Sequence, residues 1–277
     1  MAKDKKSSKN QKSELSNSEL LLKLAHKWVS VPVGILITSL AGTALNLTIR
    51  FGPLSNEADA WVQNAMLLAV QSGYYSGIIA GVLVDNILNI WTYCIAAGLS
   101  AISYTGLAWC IGSEFAMGHQ LLTIFLLFVC GVSAQIGTVT SIVSVVKNFD
   151  DQVSTLLVCL LVTYLQTAQA FDNSLKGTFF PESSDQTYLI VIGIIVTIIY
   201  LFGSLANRKV ELPEDIYERC KKYDPLGVFF YIVVLGIYII SYWLFVLLLE
   251  IFEAGMIVIF GTLLVNFLIL LPIIFVT

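Results

Sequence analysis

Charged residues are scarce in this sequence. They make up 12% of the 277 residues, while 57% of the residues are hydrophobic. Soluble domains carry roughly twice that charged fraction, so most of this surface must face something other than water. The net charge of −4 says little about the class of protein, because the charges lie almost entirely in the amino-terminal tail and the loops. An ordinary soluble domain is therefore excluded.

The residue patterns that carry catalysis or bind metals are also missing. The five cysteines show no Cys-x-x-Cys or Cys/His spacing, and in apolar runs cysteine behaves as a small hydrophobic residue. The sequence has no Gly-x-Ser-x-Gly, no P-loop and no carboxylate pair in a plausible site. We therefore expect no catalytic residues, no metal, no cofactor and no nucleic-acid partner; the chain is not expected to be an enzyme.

The first 27 residues are polar and rich in lysine, without the apolar start of a secretory signal peptide. Ser16 and Glu19 have the spacing of a capping box. Apolar residues then follow on one helical face. Residues 1–27 are accordingly predicted to be a basic tail that ends in a short amphipathic helix on the membrane surface.

Eight apolar runs follow the tail, each about as long as a bilayer crossing requires, roughly 17 to 25 residues. They lie at about residues 29–49, 61–84, 87–111, 120–146, 153–171, 188–206, 226–249 and 255–276. The backbone of a lipid-exposed segment must satisfy its own hydrogen bonds, and strand-like alternation is absent, so the runs are predicted to be helices. The predicted fold class is all-α, a polytopic α-helical membrane protein.

The basic residues predict the orientation and the organisation. With the tail inside, thirteen of the 15 lysines and arginines lie on the cytoplasmic side, and the outside keeps Arg50 and Lys176. This bias favours a multi-pass protein with a cytoplasmic amino terminus. Residues 28–206 are predicted to form a six-span bundle, 207–225 a cytoplasmic connector and 226–277 two further spans.

Glycines recur at every fourth position of the second apolar run. Gly73, Gly77 and Gly81 would form one smooth helical stripe, a helix-contact motif in membranes. Asp85 stands where the run ends. One interpretation is a static contact between two helices; the other is a packing and gating motif in which Asp85 caps or locks a neighbouring helix.

These features together resemble the major facilitator superfamily. Within it the chain looks most like the nodulin-like members, which also resemble the monocarboxylate-transporter branch. The matching pieces are Gly42 and Asn46, Phe51-Gly52-Pro53-Leu54-Ser55, the Gly73–Asp85 stretch, Gly131 and Gln135, and Val146-Lys147-Asn148-Phe149. The resemblance covers the first six spans. It implies a major-facilitator-type six-helix bundle plus two additional helices.

The resemblance also implies a solute path along the first span. Ser39, Thr43, Asn46 and Arg50 step by four, three and four residues, so they share one helical face. Arg50 could meet an anionic substrate or extend outward from the helix end into water.

The fourth span adds Gln135 and Thr138 to the candidate path. Amide and hydroxyl side chains inside membranes often join helices instead. No charged residue lies at the middle of a predicted span, which favours facilitated diffusion of a solute, or no transport at all.

The sequence departs from the family pattern in three places. Asp85 is followed by no basic residue, and Asp150 and Asp151 stand where the family has a proline and then a basic residue. Only two spans of a second half are present, so autonomous transport by a monomer is not expected. A second copy of the chain or other membrane subunits would complete the bundle.

Two functions remain open from the sequence. The first is a membrane transporter-family protein that facilitates the passage of a small polar or anionic solute. The alternative is a transport-inactive degenerate carrier that acts as a structural subunit of a larger membrane complex. The retained glycine stripe and the polar face favour the first function, whereas the departures from the family pattern favour the second.

Overall fold

The computed structural model describes residues 17–54, 60–112, 120–166, 184–207 and 224–234, together with residues 168, 172, 176, 209, 210, 212, 214, 216, 218, 221, 222, 236 and 237. Within these residues the chain is helical and contains no strand. The prediction of an all-α fold is therefore confirmed.

Eight helices are used below. They are α1 (Asn17–Leu54), α2 (Ala60–Tyr74), α3 (Gly77–Asn86), α4 (Asn89–Gly112), α5 (Gln120–Val146), α6 (Asp151–Gln166), α7 (Asp185–Ala206) and α8 (Asp224–Val234). Five segments are long and apolar enough to cross a membrane: Leu22–Leu47, Asn64–Asn86, Asn89–Ile111, Gln120–Val146 and Asp185–Ala206. The last predicted span, 255–276, lies outside the described residues.

Helix α5 lies at the centre of the bundle, where it contacts α1, α2, α3, α4 and α6. Small residues make this position possible, because glycine, serine and alanine let helix backbones approach closely. Gly131, Ser133, Ala134 and Gly137 are all buried on α5. On the outside, large apolar side chains such as Leu88, Leu121 and Ile78 are exposed, the last of them by 85%. Such a surface suits lipid and not water.

The predicted span over residues 61–84 corresponds to the candidate membrane span Asn64–Asn86, but it is not one continuous helix. The segment is interrupted after Tyr74, and α3 begins at Gly77. At the break, the Ser76 amide bonds to the Gly73 carbonyl at 3.1 Å, and the helical ladder resumes with the Ile79 amide and the Ser76 carbonyl at 2.9 Å. Glycine and serine are weak helix formers, and their combination is a usual place for a kink.

The surface helix predicted at the end of the tail is not a separate element. Helix α1 runs without a break from Asn17 to Leu54, 38 residues, and so contains both the amphipathic stretch and the first span. The remaining predicted spans have counterparts in α4, α5, α6, α7 and α8. The domain boundaries drawn from the sequence stay a prediction.

Candidate functional site

The polar face of α1 points into the bundle. Ser39, Thr43 and Asn46 are buried, and Asn46 is 9% exposed. The Thr43 hydroxyl donates to the Leu40 carbonyl at 2.6 Å and lies 3.4 Å from the Tyr104 hydroxyl of α4. The Asn46 side-chain Nδ2 is buried and has no hydrogen-bond partner among the described residues. Arg50 belongs to α1, but its side chain lies outside the described part of the chain.

The two path residues predicted on α5 differ in how they are bonded. The Thr138 hydroxyl donates to the Ala134 carbonyl at 2.8 Å and lies near the side chain of Tyr74. The Gln135 Oε1 atom is buried and, in the described part of the structure, unbonded. Its Nε2 atom lies 2.9 Å from the point where a Cβ of Gly77 would stand. Gln135 therefore packs against the start of α3, beside the break in the second span.

Tyr104 of α4 lies near both α1 and α5. Its hydroxyl approaches Thr43 of α1, and its side chain lies near Cys130 of α5. Within the described residues no hydrogen bond joins Asn46 to Gln135. The structure thus places both groups inside the bundle, on helices that share Tyr104 as a neighbour.

The glycine stripe divides into three environments. A Cβ at Gly73 would stand 2.1 Å from the Phe128 carbonyl oxygen of α5, so the two backbones touch there. Gly77 faces the Gln135 side chain, and at Gly81 no atom of the described residues lies within 4 Å of the corresponding point. Asp85 is exposed, and its side chain has no ion pair with another described residue. Close helix packing therefore involves Gly73 and Gly77 and not Gly81.

One buried ion pair was missed by the sequence analysis, which placed Lys27 in the tail. The Lys27 Nζ atom lies 2.6 Å from Asp224 Oδ2, and the two side chains are 1% and 3% exposed. The same ammonium group lies 4.6 Å from the centroid of the Phe149 ring. The pair joins the amino-terminal third of α1 to the start of α8. A signal was present, since both residues directly border apolar runs.

A second buried carboxylate was also missed. Asp172 is buried and accepts a hydrogen bond from the hydroxyl of Tyr188, which is buried at the start of α7. The sequence offered little warning, because Asp172 follows directly after the predicted fifth span. Asp172 thus adds a buried carboxylate to the polar groups inside the bundle.

The described residues contain no group of three or more histidine, cysteine, aspartate or glutamate side chains that could hold a metal ion. Apart from the Lys27–Asp224 pair, the buried polar groups described above are hydroxyls, amides, the Cys130 thiol and the carboxylate of Asp172. They can donate and accept hydrogen bonds to a polar molecule, and they form no described cofactor site.

Comparison with curated proteins and with solved structures gave no match. The family model named Nodulin-like matches residues 27–277, which is nearly the whole chain. This match confirms the nodulin-like resemblance drawn from the sequence. Together with its long apolar helices, it identifies an integral membrane protein of transporter type. The chain belongs to the Nodulin-like family.

Proposed function

We propose that this protein is a multi-pass transporter of the major facilitator type that carries a small polar or anionic solute. The path runs along Ser39, Thr43, Asn46 and Arg50 on α1 and along Gln135 and Thr138 on α5. The amino terminus lies on the cytoplasmic side, as the distribution of basic residues indicates. Family membership supports the transporter class.

One observation carries the choice of path. Asn46 Nδ2 and Gln135 Oε1 are both buried without a partner among the described residues. Leaving a buried donor or acceptor unbonded costs about 1 to 3 kcal/mol, so each such group in a native structure calls for an explanation. A polar solute that passes through the bundle would supply the missing hydrogen bonds during transport.

The proposal is tested by uptake into liposomes that contain the purified chain. The probes are three solute classes, namely neutral polyols, zwitterionic amino acids and monocarboxylates, each applied in an osmotic shrink–swell assay. For at least one class, we expect faster re-swelling than in protein-free liposomes. Asn46→Leu and Gln135→Leu should abolish that gain, because leucine removes the hydrogen-bonding groups and keeps the volume.

Thr197→Val is the matched control. The Thr197 hydroxyl on α7 bonds to the Gly193 carbonyl of its own helix at 2.7 Å and lies outside the proposed path. This variant should transport like the unmodified chain. Re-swelling no faster than in protein-free liposomes, for all three solute classes, would contradict the proposal.

A second function is supported by a different observation. The hydroxyls of Thr43 and Thr138 are already bonded to carbonyls of their own helices, and α2 and α5 are in backbone contact at Gly73. Such closely packed helices suit a transport-inactive carrier that acts as a structural subunit. The two functions are distinguished by the mass and composition of the species that contains this chain after gentle extraction in detergent. A monomer or a homodimer favours transport, whereas a fixed stoichiometry with unrelated membrane proteins favours the subunit.

A further inference from the structure

The break in the second span lies deep in the predicted membrane. Tyr75 is the middle residue of the candidate span Asn64–Asn86, and the helix is interrupted between Tyr74 and Gly77. Lipid offers no hydrogen bonds at this depth, so non-helical backbone is tolerated only where protein buries it or where it lines a water-filled cavity. Each backbone group at the break must therefore find its partner inside the bundle.

Five backbone groups at the break have no hydrogen-bond partner among the described residues. They are the carbonyls at the end of α2 and the amides at the start of α3, namely those of Ser72, Tyr74 and Tyr75 and those of Gly77 and Ile78. Carbonyls point toward the carboxyl end of a helix and amides toward its amino end. Acceptors from α2 and donors from α3 therefore converge on the same place.

Two side chains add buried polar atoms to this place. Ser76 is the N-cap residue of α3, yet its hydroxyl makes no capping bond, and its Oγ atom is buried without a partner in the described part of the chain. The Oε1 atom of Gln135 is buried and unbonded in the same way. The Gln135 amide group reaches the break, since its Nε2 atom lies 2.9 Å from the position of a Cβ at Gly77. Buried polar atoms in native proteins are nearly always bonded, so these two indicate a bound molecule.

We propose that the break binds a small zwitterion, such as an amino acid, as the solute of the path. The carboxylate of the zwitterion accepts hydrogen bonds from the amides at the start of α3. Its ammonium group donates to the carbonyls at the end of α2 and to Gln135 Oε1. The inference rests on the proposed function and deepens it, because it names the class of solute and adds Ser76 as a binding residue.

The charges around the break favour a zwitterion over an anion. Helices α2 and α5 contain no lysine, arginine, aspartate or glutamate, and the charged residue of α3 is Asp85, near its far end. A solute with a net charge would find no counter-charge in these helices, and an unpaired buried charge is costly. A carboxylate alone also offers no donor to the free carbonyls. A zwitterion has no net charge, and its two groups match the partial charges of the helix ends, positive at the start of α3 and negative at the end of α2.

The test is equilibrium binding to the purified full-length chain in detergent. The radiolabelled probe is L-alanine, and three competitors share its carbon skeleton: L-lactate lacks the ammonium group, L-alaninol lacks the carboxylate, and 1,2-propanediol lacks both. Each should compete at least about tenfold more weakly than unlabelled L-alanine, because hydrogen bonds to a charged group are lost. If L-lactate or 1,2-propanediol competes as well as L-alanine, the break does not select zwitterions and the inference is overturned. The absence of saturable L-alanine binding overturns it equally.

Two variants assign the binding to the break. Ser76→Ala and Gln135→Leu should each weaken L-alanine binding at least about tenfold. Ser204→Ala is the matched control, since the Ser204 hydroxyl bonds to the Leu201 carbonyl of its own helix, α7, at 2.6 Å; this variant should bind like the unmodified chain. Unchanged affinity of Ser76→Ala contradicts the site. Where a variant fails to fold, as judged by size-exclusion chromatography, the competitors still decide the outcome on the unmodified chain.

Binding and transport can fail separately. Re-swelling with polyols or monocarboxylates, together with no L-alanine binding, would keep the proposed function and reject the zwitterion. L-alanine binding that Ser76→Ala removes, without uptake of any solute class, would keep the site and reject transport.

Discussion

Gly73 of α2 and Gly131 of α5 lie opposite each other where the two helices cross. A Cβ at Gly73 would stand 2.1 Å from the Phe128 carbonyl oxygen, and a Cβ at Gly131 would stand 2.1 Å from the Val70 carbonyl oxygen. Each glycine thus lies in contact with the backbone of the other helix. In lipid, helices associate through such close packing, since burial of apolar side chains gives little advantage there.

The first prediction tests this crossing. Gly73→Ala should destabilise the protein by about 1 to 3 kcal/mol, because the methyl group forces two backbones apart. Gly81→Ala is the matched control, since in the described part of the chain no atom lies within 4 Å of its Cβ position. The measurement is thermal unfolding in detergent. Equal midpoints for the two variants would contradict the assigned crossing.

The same glycines show how far the sequence leads. Spacing by four places Gly73, Gly77 and Gly81 on one helical face, and at Gly73 that face lies against the backbone of α5. Spacing does not identify the partner helix or the residues at which the two helices cross. Both depend on the relative placement of α2 and α5. For that reason Gly81, which has the same sequence pattern, faces open space.

The charged residues show a second limit. The distribution of charged residues along the sequence predicts that Lys27 lies in a solvated tail, because a single lysine next to an apolar run usually extends into water. Its burial depends on Asp224, which is 197 residues later in the chain. Local patterns cannot identify such a partner. The long apolar helices were predictable, since their length and composition are local properties.

The second prediction concerns the contact between α1 and α8. A Cβ at Gly227 would stand 2.2 Å from Cη2 of Trp28, whose ring is held by Phe149 and Tyr231. Gly227→Ala should therefore lower the unfolding midpoint, with a loss of about 1 to 3 kcal/mol typical of overpacking. Gly236→Ala should leave the midpoint unchanged, because no described residue has an atom within 4 Å of its Cβ position. A midpoint for Gly227→Ala equal to that of the unmodified chain would show that α8 does not pack on Trp28.

The third prediction concerns Asp172. Tyr188→Phe removes the hydroxyl that donates to this buried carboxylate. Hydrogen bonds to charged groups contribute about 1.5 to 3 kcal/mol, so the variant should unfold at a clearly lower temperature. Tyr75→Phe serves as the control because Tyr75 is 81% exposed. If both phenylalanine variants unfold at the same temperature, the Tyr188 hydroxyl does not stabilise the protein through Asp172.

The fourth prediction separates amides that join helices from amides that line a path. Asn207 Nδ2 donates to the Tyr93 hydroxyl at 2.7 Å and so joins α4 to the end of α7. Asn207→Leu should lower stability by about 1 kcal/mol, the typical net contribution of such a bond. Asn46→Leu should leave stability unchanged or raise it, because Nδ2 of Asn46 loses no described partner. Thermal unfolding of the two variants gives the comparison. If Asn46 does not contribute to stability, the uptake assay measures whether it contributes to transport. If Asn46→Leu destabilises the chain as much as Asn207→Leu, then Asn46 joins helices and the proposed path loses its main support.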